Sequence, residues 1–383
     1  MQSVYIAGTG QTPVAEHWEL TAQTLAARAL RQALGESQKQ IGALYVANAL
    51  GGAIGLQTNI GPAIAAASGM RGVETFTIEA GGASGGVALR QAYLAIAGGV
   101  FDAVAVVGVE KVTDVLEGRL EAGLALSTDV DWEAIHGATP TALWATLMRR
   151  YMHEYGYSAN DFAPFPVNAH ANALKNPHAL YRFPISADKV GGGAMVADPL
   201  SLLDCSTVAD GAAAVVLVSE RLARELDVTL VRLASSVVAT DIPALQRRAE
   251  PLWFEAAAHS ARAALRAARI EIGDVDVLEL SDPHGIAAAL ALEASGFAER
   301  GVGVQLGKEG AIRPGGATPL ATAGGFKARG DVGGASGVYQ VVELVAQLRG
   351  QAGATQVADA RVAFAQSLGG IATTAATQIL IRE

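Results

Sequence analysis

The chain is short of the features that usually give a function away. It holds one cysteine in 383 residues, Cys205, which excludes an intrachain disulfide and a cysteine-based metal site. Aromatic residues make up 5% of it and charged residues 17%. There is no Lys/Arg run, and the net charge of −9 argues against an electrostatic nucleic-acid binder. No uncharged apolar stretch approaches a membrane span, so no membrane contact is expected. The N-terminus, MQSVYIAGTG, has no basic n-region leading into an apolar h-region, and a cytoplasmic location is expected. The histidines form no HxxxH or HxH pairing; the closest two, His170 and His178, lie around the loop signal NPHAL. No metal site is expected.

What the chain has in quantity is small and apolar residues. The apolar fraction of 51% and the 44 glycines suit a large core in which helices pack closely on sheets. Along the chain, strand-like and helix-like segments alternate. VYIAGTG (4–10) reads as a strand and TAQTLAARALRQALGES (21–37) as an amphipathic helix with 3.6-residue periodicity. IGALYVANAL (41–50) and VETFTIEA (73–80) read as buried strands. SGGVALRQAYLAIAGG (84–99) reads as a helix and DAVAVVGVEK (102–111) as a strand.

The order then repeats. LVRLASSVVA (230–239), AAAHSARAALRAAR (256–269), IGDVDVLELSD (272–282), SGVYQVVELVAQLRG (336–350) and ARVAFAQSLGG (360–370) read as strand, helix, strand, helix and strand. A strand running into a glycine elbow and a helix occurs twice, as IEAGGASGG at 78–86 and GGASGV at 333–338. A spacing of well over two hundred residues is too long for a solenoid. It predicts a duplicated α/β fold with parallel-rich sheets covered on both faces. Residues 116–195, richer in charge, aromatics, proline and histidine, interrupt it as an inserted loop domain. The expected organisation is 1–115 plus 196–225 as a first half, 116–195 as the insertion and 226–383 as a second half.

These strings resemble the thiolase superfamily, and most closely its archaeal-type and sterol-carrier-protein-associated branch. The matching segments are GVEKVTD (108–114), TALWATLMRRYMHEYG (141–156), NALKNPHALYRFP (172–184), ADPLSLLDCSTVADGAAAVVL (197–217), GGFKARGDVGGASG (324–337) and SLGG (367–370). The resemblance implies two βαβαβαββ halves in a five-layered αβαβα sandwich, with a loop domain that binds coenzyme A. It implies acyl-CoA as substrate or ligand, no covalently bound cofactor, and a homodimer or dimer of dimers. It also places the two elbows at equivalent helix N-termini near a pseudo-twofold axis.

Matched position by position, the chain departs from the family's catalytic pattern. The nucleophilic cysteine falls on Gly82. The histidine of the GHP motif falls on Asp331, and the histidine or asparagine of the HDCF/NEAF-type motif on Ser281. The second cysteine, of CxGG, falls on Ser367. A helix N-terminus lowers the pKa of a thiol placed there, but glycine offers no thiol. Ser84 matches an ordinary family serine and reads as helix-capping, and Cys205 reads as a buried structural residue. Asp282 and His284, in SDPHG, lie on a turn that supplies an active-site group in relatives. His284 is either such a group or an exposed histidine after an Asp-Pro turn. Asp331 is either a proton-transfer group or a helix-terminal carboxylate.

The binding apparatus survives this comparison. Backbone amides of Gly82, Gly369 and Gly370 suit an oxyanion hole for a thioester carbonyl. Aldolases of steroid side-chain degradation resemble thiolases, lack the nucleophile and cleave β-hydroxyacyl-CoA by retro-aldol chemistry. They carry tyrosines near the two histidine positions, which here are Ser281 and Asp331. Three readings follow: a cysteine-independent lyase or condensing enzyme of lipid metabolism, a non-catalytic acyl-CoA-binding or scaffold subunit, or a subunit working with a zinc-ribbon/OB-fold partner.

Overall fold

The computed structural model describes residues 2–35 and 41–383. In the first part of the chain, β1 (Val4–Gln11), α1 (Ala22–Leu34), β2 (Ala43–Ala47), α2 (Ile60–Ala67), β3 (Glu74–Ile78), α3 (Ser84–Ala97) and β4 (Ala103–Glu110) follow one another. Next come α4 (Glu117–Ala125), α5 (Pro140–Tyr155), α6 (Pro164–Ala173), α7 (Ala187–Gly191) and the small pair β5 (Met195–Ala197) and β6 (Leu200–Ser201). β7 (Gly211–Ser219) and α8 (Glu220–Ala223) lead into the repeat. The repeat runs through β8 (Val231–Thr240), α9 (Glu255–Ala268), β9 (Val277–Leu280), α10 (Gly285–Ser295), α11 (Gly303–Lys308), α12 (Ser336–Leu348), β10 (Val362–Gly369) and β11 (Thr374–Arg382). The predicted helix over 21–37 ends at Leu34, and residues 36 and 37 lie outside the described residues.

Among the described residues, nine strands run in the order β3-β2-β4-β7-β1-β8-β11-β10-β9. The two halves meet edge to edge where Tyr5 and Ile6 of β1 pair with Arg232 and Val231 of β8. The sheet is mixed rather than parallel-rich. β2 pairs in parallel with β3 and β4, and β9 with β10. The ladders through β7, β1, β8 and β11 are antiparallel. Continuous apolar strands do not distinguish the two cases when both faces are covered, and here they are. One further reading needs correction: the strand over 73–80 is not buried. β3 lies at the end of the sheet with Phe76 40% exposed.

Three packed regions give the layering. α1 lays Leu25, Ala26, Ala29, Leu30 and Ala33 on the outer face of the first half-sheet. Thr21 caps it by accepting the Thr24 amide at 3.1 Å, and Gly35 closes it at φ 49°. α9 does the same for the second half-sheet with an alanine face. Between the half-sheets lie α3 and α12, and α12 is buried almost all round. A helix apolar on every side belongs in such a middle layer. The order is therefore helix, sheet, helix pair, sheet, helix.

The doubled glycine motif is explained where α3 and α12 cross. Their first residues, Ser84 and Ser336, hold equivalent places. A Cβ on Gly85 would stand 2.7 Å from the Val338 amide nitrogen, and one on Gly337 would stand 2.8 Å from that of Gly86. The two helix N-termini touch backbone to backbone, which only glycine permits. Gly85→Ala is expected to lower stability by about 1–3 kcal/mol through overpacking, outweighing the helix-propensity gain of about 1 kcal/mol. Urea denaturation measures this, and an unchanged midpoint would contradict the crossing. No helix among the described residues is long and apolar enough to cross a membrane.

Candidate active site

Four chain segments end at one cleft of about 620 Å³, lined by Gly82, Ser281, His284, Asp331, Leu368 and Gly370 among others. The elbow after β3 is tied by Ser84, whose hydroxyl accepts the Ala80 amide at 2.8 Å and donates to the Gly81 carbonyl at 2.6 Å. Ser84 thus fastens the elbow from inside the helix instead of capping its free amides. Gly81 takes φ 57°, a left-handed turn that glycine adopts without steric cost. Gly82 sits against the turn after β10, where its Cβ would lie 2.5 Å from the Leu368 carbonyl oxygen.

The elbow before α12 is built alike. Ser336 Oγ accepts the Val332 amide at 2.9 Å and donates to Asp331 Oδ1 at 3.0 Å. Asp331 Oδ1 also accepts the Gly333 amide at 2.9 Å. The backbone of Asp331 is clamped to the segment before β7, through its amide to Thr207 and its carbonyl to the Ala209 amide, both at 2.9 Å. Burial pushes its carboxyl above the ordinary range, and the hydrogen bonds and Arg329 only partly oppose this. A carboxyl held in this way takes up a proton more readily than an exposed one, which suits a proton-transfer group.

The turn between β9 and α10 brings Ser281, Asp282 and His284. Ser281 Oγ accepts the Leu368 amide at 2.9 Å, so this hydroxyl fixes the neighbouring turn. His284 is the residue before α10 and is 5% exposed, with Nδ1 lacking a hydrogen-bond partner and its ring 6.2 Å from that of Trp144. It is not an exposed turn histidine. Burial first, then the Lys327 ammonium, pushes it down to about 3, so it is neutral at neutral pH. Asp282 turns away from the cleft to accept the Phe326 amide at 2.7 Å.

Two expected site residues lie elsewhere. The Ser367 side chain does not line the cleft; its hydroxyl is packed at the crossing of α3 and α12, against Gly86 and Gly337. The pleat of β10 puts Leu368 on the cleft side, and with it the position matched to the second cysteine points away. Gly369 is likewise wedged against the Ala80 carbonyl rather than lining the cleft, while Gly370 does line it.

Some residues of the site escaped the sequence reading. Trp144 of α5 forms a wall, resting on Phe254 at 5.7 Å. Cys205 is buried, as expected, yet also lines the cleft, and burial pushes its thiol up to about 12, far from thiolate formation. Glu110, at the end of β4, is fully buried behind the wall. Its signals were an acid closing an otherwise apolar strand and its place in the matching segment GVEKVTD.

With this geometry in place, comparison with known proteins is decisive. The N-terminal domain of thiolases matches residues 4–221, and the thiolase C-terminal domain-like family matches residues 238–382. The chain belongs to the thiolase superfamily. It is 37% identical over 385 residues to acetyl-CoA acetyltransferase of Methanothermobacter thermautotrophicus, covering 100% of both chains. It is 31% identical to benzoylsuccinyl-CoA thiolase subunit BbsB of Thauera aromatica, over 96% of this chain and 95% of that one. Sterol carrier protein 2 of Homo sapiens is 29% identical over 96% of this chain and 70% of its own.

Two solved structures share the thiolase fold. One, described as an Ltp2-ChsH2(DUF35) aldolase, superposes with a TM-score of 0.85 at 24% identity, covering 99% of this chain and 98% of that one. The other is a monomeric SCP2-thiolase like protein type 1 from Mycobacterium smegmatis. It has a TM-score of 0.76 at 20% identity, covering 100% of this chain and 77% of that one. The cleft therefore lies in a thiolase fold, a family that acts on CoA thioesters.

Proposed function

We propose that the chain binds acyl-CoA thioesters in this cleft and works on them without a covalent intermediate, as a carbon–carbon lyase or the reverse condensing enzyme. The observation that supports the reading is the pairing at the cleft: Gly82, which has no side chain to acylate and which the motif resemblance matches to the family's nucleophile, and Asp331 line the same space. Amides of the Gly82 elbow and of Gly370 would hold the thioester oxygen.

In the cleavage direction the carboxylate of Asp331 removes the proton from the C3 hydroxyl of a β-hydroxyacyl-CoA. The C2–C3 bond breaks, C3 becomes an aldehyde or ketone carbonyl, and the electron pair moves into the thioester as an enolate held by the amides. Asp331 then returns its proton to C2, giving a shortened acyl-CoA. No oxidant or reductant is required. Neutral His284 contributes a hydrogen bond rather than a charge. Product analysis across a panel of β-hydroxyacyl-CoA substrates tests the reaction. Binding without turnover across the panel, with a zinc-ribbon partner present, would instead leave a non-catalytic acyl-CoA-binding or scaffold subunit. The aldolase named with a DUF35 component favours including such a partner.

The free outer edge of β3 supports a second proposal, that two copies pair there. An exposed strand edge is an association site unless covered, and Phe76 is exposed on it. Light scattering at micromolar concentration should return twice the chain mass or a multiple of that. The monomer alone would overturn the pairing, and a monomeric relative of this fold makes the measurement informative.

A further inference from the structure

The geometry points to Glu110 as a positioning residue for Asp331: the two carboxylates hold consecutive amides of one elbow and act as a coupled acid pair across Gly333. Asp331 Oδ1 takes the Gly333 amide at 2.9 Å, and Glu110 Oε2 takes the Gly334 amide at 2.8 Å. A Cβ on Gly333 would stand 2.7 Å from Glu110 Oε2, so nothing but glycine separates the elbow from this carboxylate.

Glu110 binds the opposite cleft wall at the same time. It accepts the Ala49 amide at 2.8 Å, the Leu50 amide at 3.2 Å to each oxygen, and the Asn48 side-chain amide. Ala49, Leu50, Gly333 and Asp331 all line the cleft. Every partner of Glu110 is an N–H donor, and only a group that accepts with both oxygens satisfies them all. A glutamine would turn an NH₂ toward a donor. The site therefore requires a carboxylate here, although burial pushes its proton affinity up to about 7 against the pull of those amides, with Asp331 adding to the rise.

The charged surroundings are few. Asp331 is the acid whose charge bears on Glu110, and Arg329 is the cation whose charge bears on Asp331. Two carboxylates so placed titrate as a pair, each holding the other's proton more tightly when charged. The carboxylate behind the wall thereby sets both the place of Asp331 and the pH at which it works as a base.

This inference rests on the reading of Asp331 as the base, but its test needs no substrate. Infrared difference titration with isotope-labelled aspartate follows Asp331 in the wild type and in Glu110→Gln. The Asp331 midpoint should move to lower pH in the variant. By linkage the effect is reciprocal, so in Asp331→Asn the Glu110 midpoint, followed with labelled glutamate, should also fall. Asp331 is half-buried at the cleft, and asparagine keeps an acceptor for Gly333 and Ser336, so this second arm decides the matter if Glu110→Gln fails to fold. Unmoved midpoints in folded variants would make Glu110 a scaffold residue and overturn the pair. A moved midpoint in a protein that turns over nothing would keep the pair while ending the lyase reading.

Discussion

Incubated with acetoacetyl-CoA and CoA, the protein is expected to show no thiolysis and no gain of an acyl group in intact mass. A ping-pong thiolase passes through an acyl-enzyme, and on the proposed reading the nucleophile's position falls on Gly82, which has no side chain to acylate. The one thiol in the chain, Cys205, lines the cleft but holds its proton up to about 12. Restoring a cysteine should not restore the reaction. In Gly82→Cys the new Cβ starts 2.5 Å from the Leu368 carbonyl oxygen, so the elbow or the β10 turn must shift. The thiol would also face Asp331, whose negative charge raises a neighbouring thiol's pKa. Residues that act as a catalytic unit are strongly non-additive, and on the proposed reading three other positions of the unit, Ser281, Asp331 and Ser367, differ as well. The expected result is no thiolysis in the single variant, as in the wild type. A wild-type mass shifted by one acetyl group, or thiolase turnover in Gly82→Cys, would overturn the proposed loss of the nucleophile or its weight in the chemistry.

Asp331→Asn should abolish carbon–carbon cleavage while leaving acyl-CoA binding intact. Removing a positioned general base costs about 10²–10⁴-fold in rate. Asparagine preserves the shape of the elbow, since one acceptor oxygen serves both the Gly333 amide and the Ser336 hydroxyl. His284→Ala should cost less in rate, because a neutral imidazole contributes a hydrogen bond and not the proton acceptor. Calorimetric titration with a saturated acyl-CoA separates binding from turnover. Equal cleavage by Asp331→Asn and wild type would remove Asp331 from the reaction.

The fold was legible because its periodicities are clean. α1 and α9 carry one apolar face each, and the strands between them are short and β-branched enough to read by eye. α10, GIAAALALEAS, has no polar face to mark it, because it is buried on all sides. β11 mixes threonine, alanine and glutamine inside the sheet, which blurs its alternation. Sheet direction was misjudged for a related reason: strands covered on both faces look the same whether their neighbours run parallel or antiparallel.

The candidate site was legible where a motif fixes the backbone and not where a pleat or a distant segment fixes the side chain. Gly82, Ser281, His284 and Asp331 converge because the elbows and strand ends that carry them converge. Ser367 turns away because register on β10 decides its direction, which a motif match does not reveal. Glu110 owes its role to Gly334, 224 residues away in sequence. Only the packing of the two halves brings them together.

The central claim is that this cleft holds a thioester for chemistry without acylation. Its most direct test is a crystal structure with a non-hydrolysable ketone (dethia) analogue of a β-hydroxyacyl-CoA bound to the Asp331→Asn protein. The account predicts the carbonyl oxygen within hydrogen-bond distance of the Gly82 amide and the C3 hydroxyl within reach of residue 331. An analogue bound with its carbonyl outside the cleft, or with the C3 hydroxyl turned away from residue 331, would contradict it.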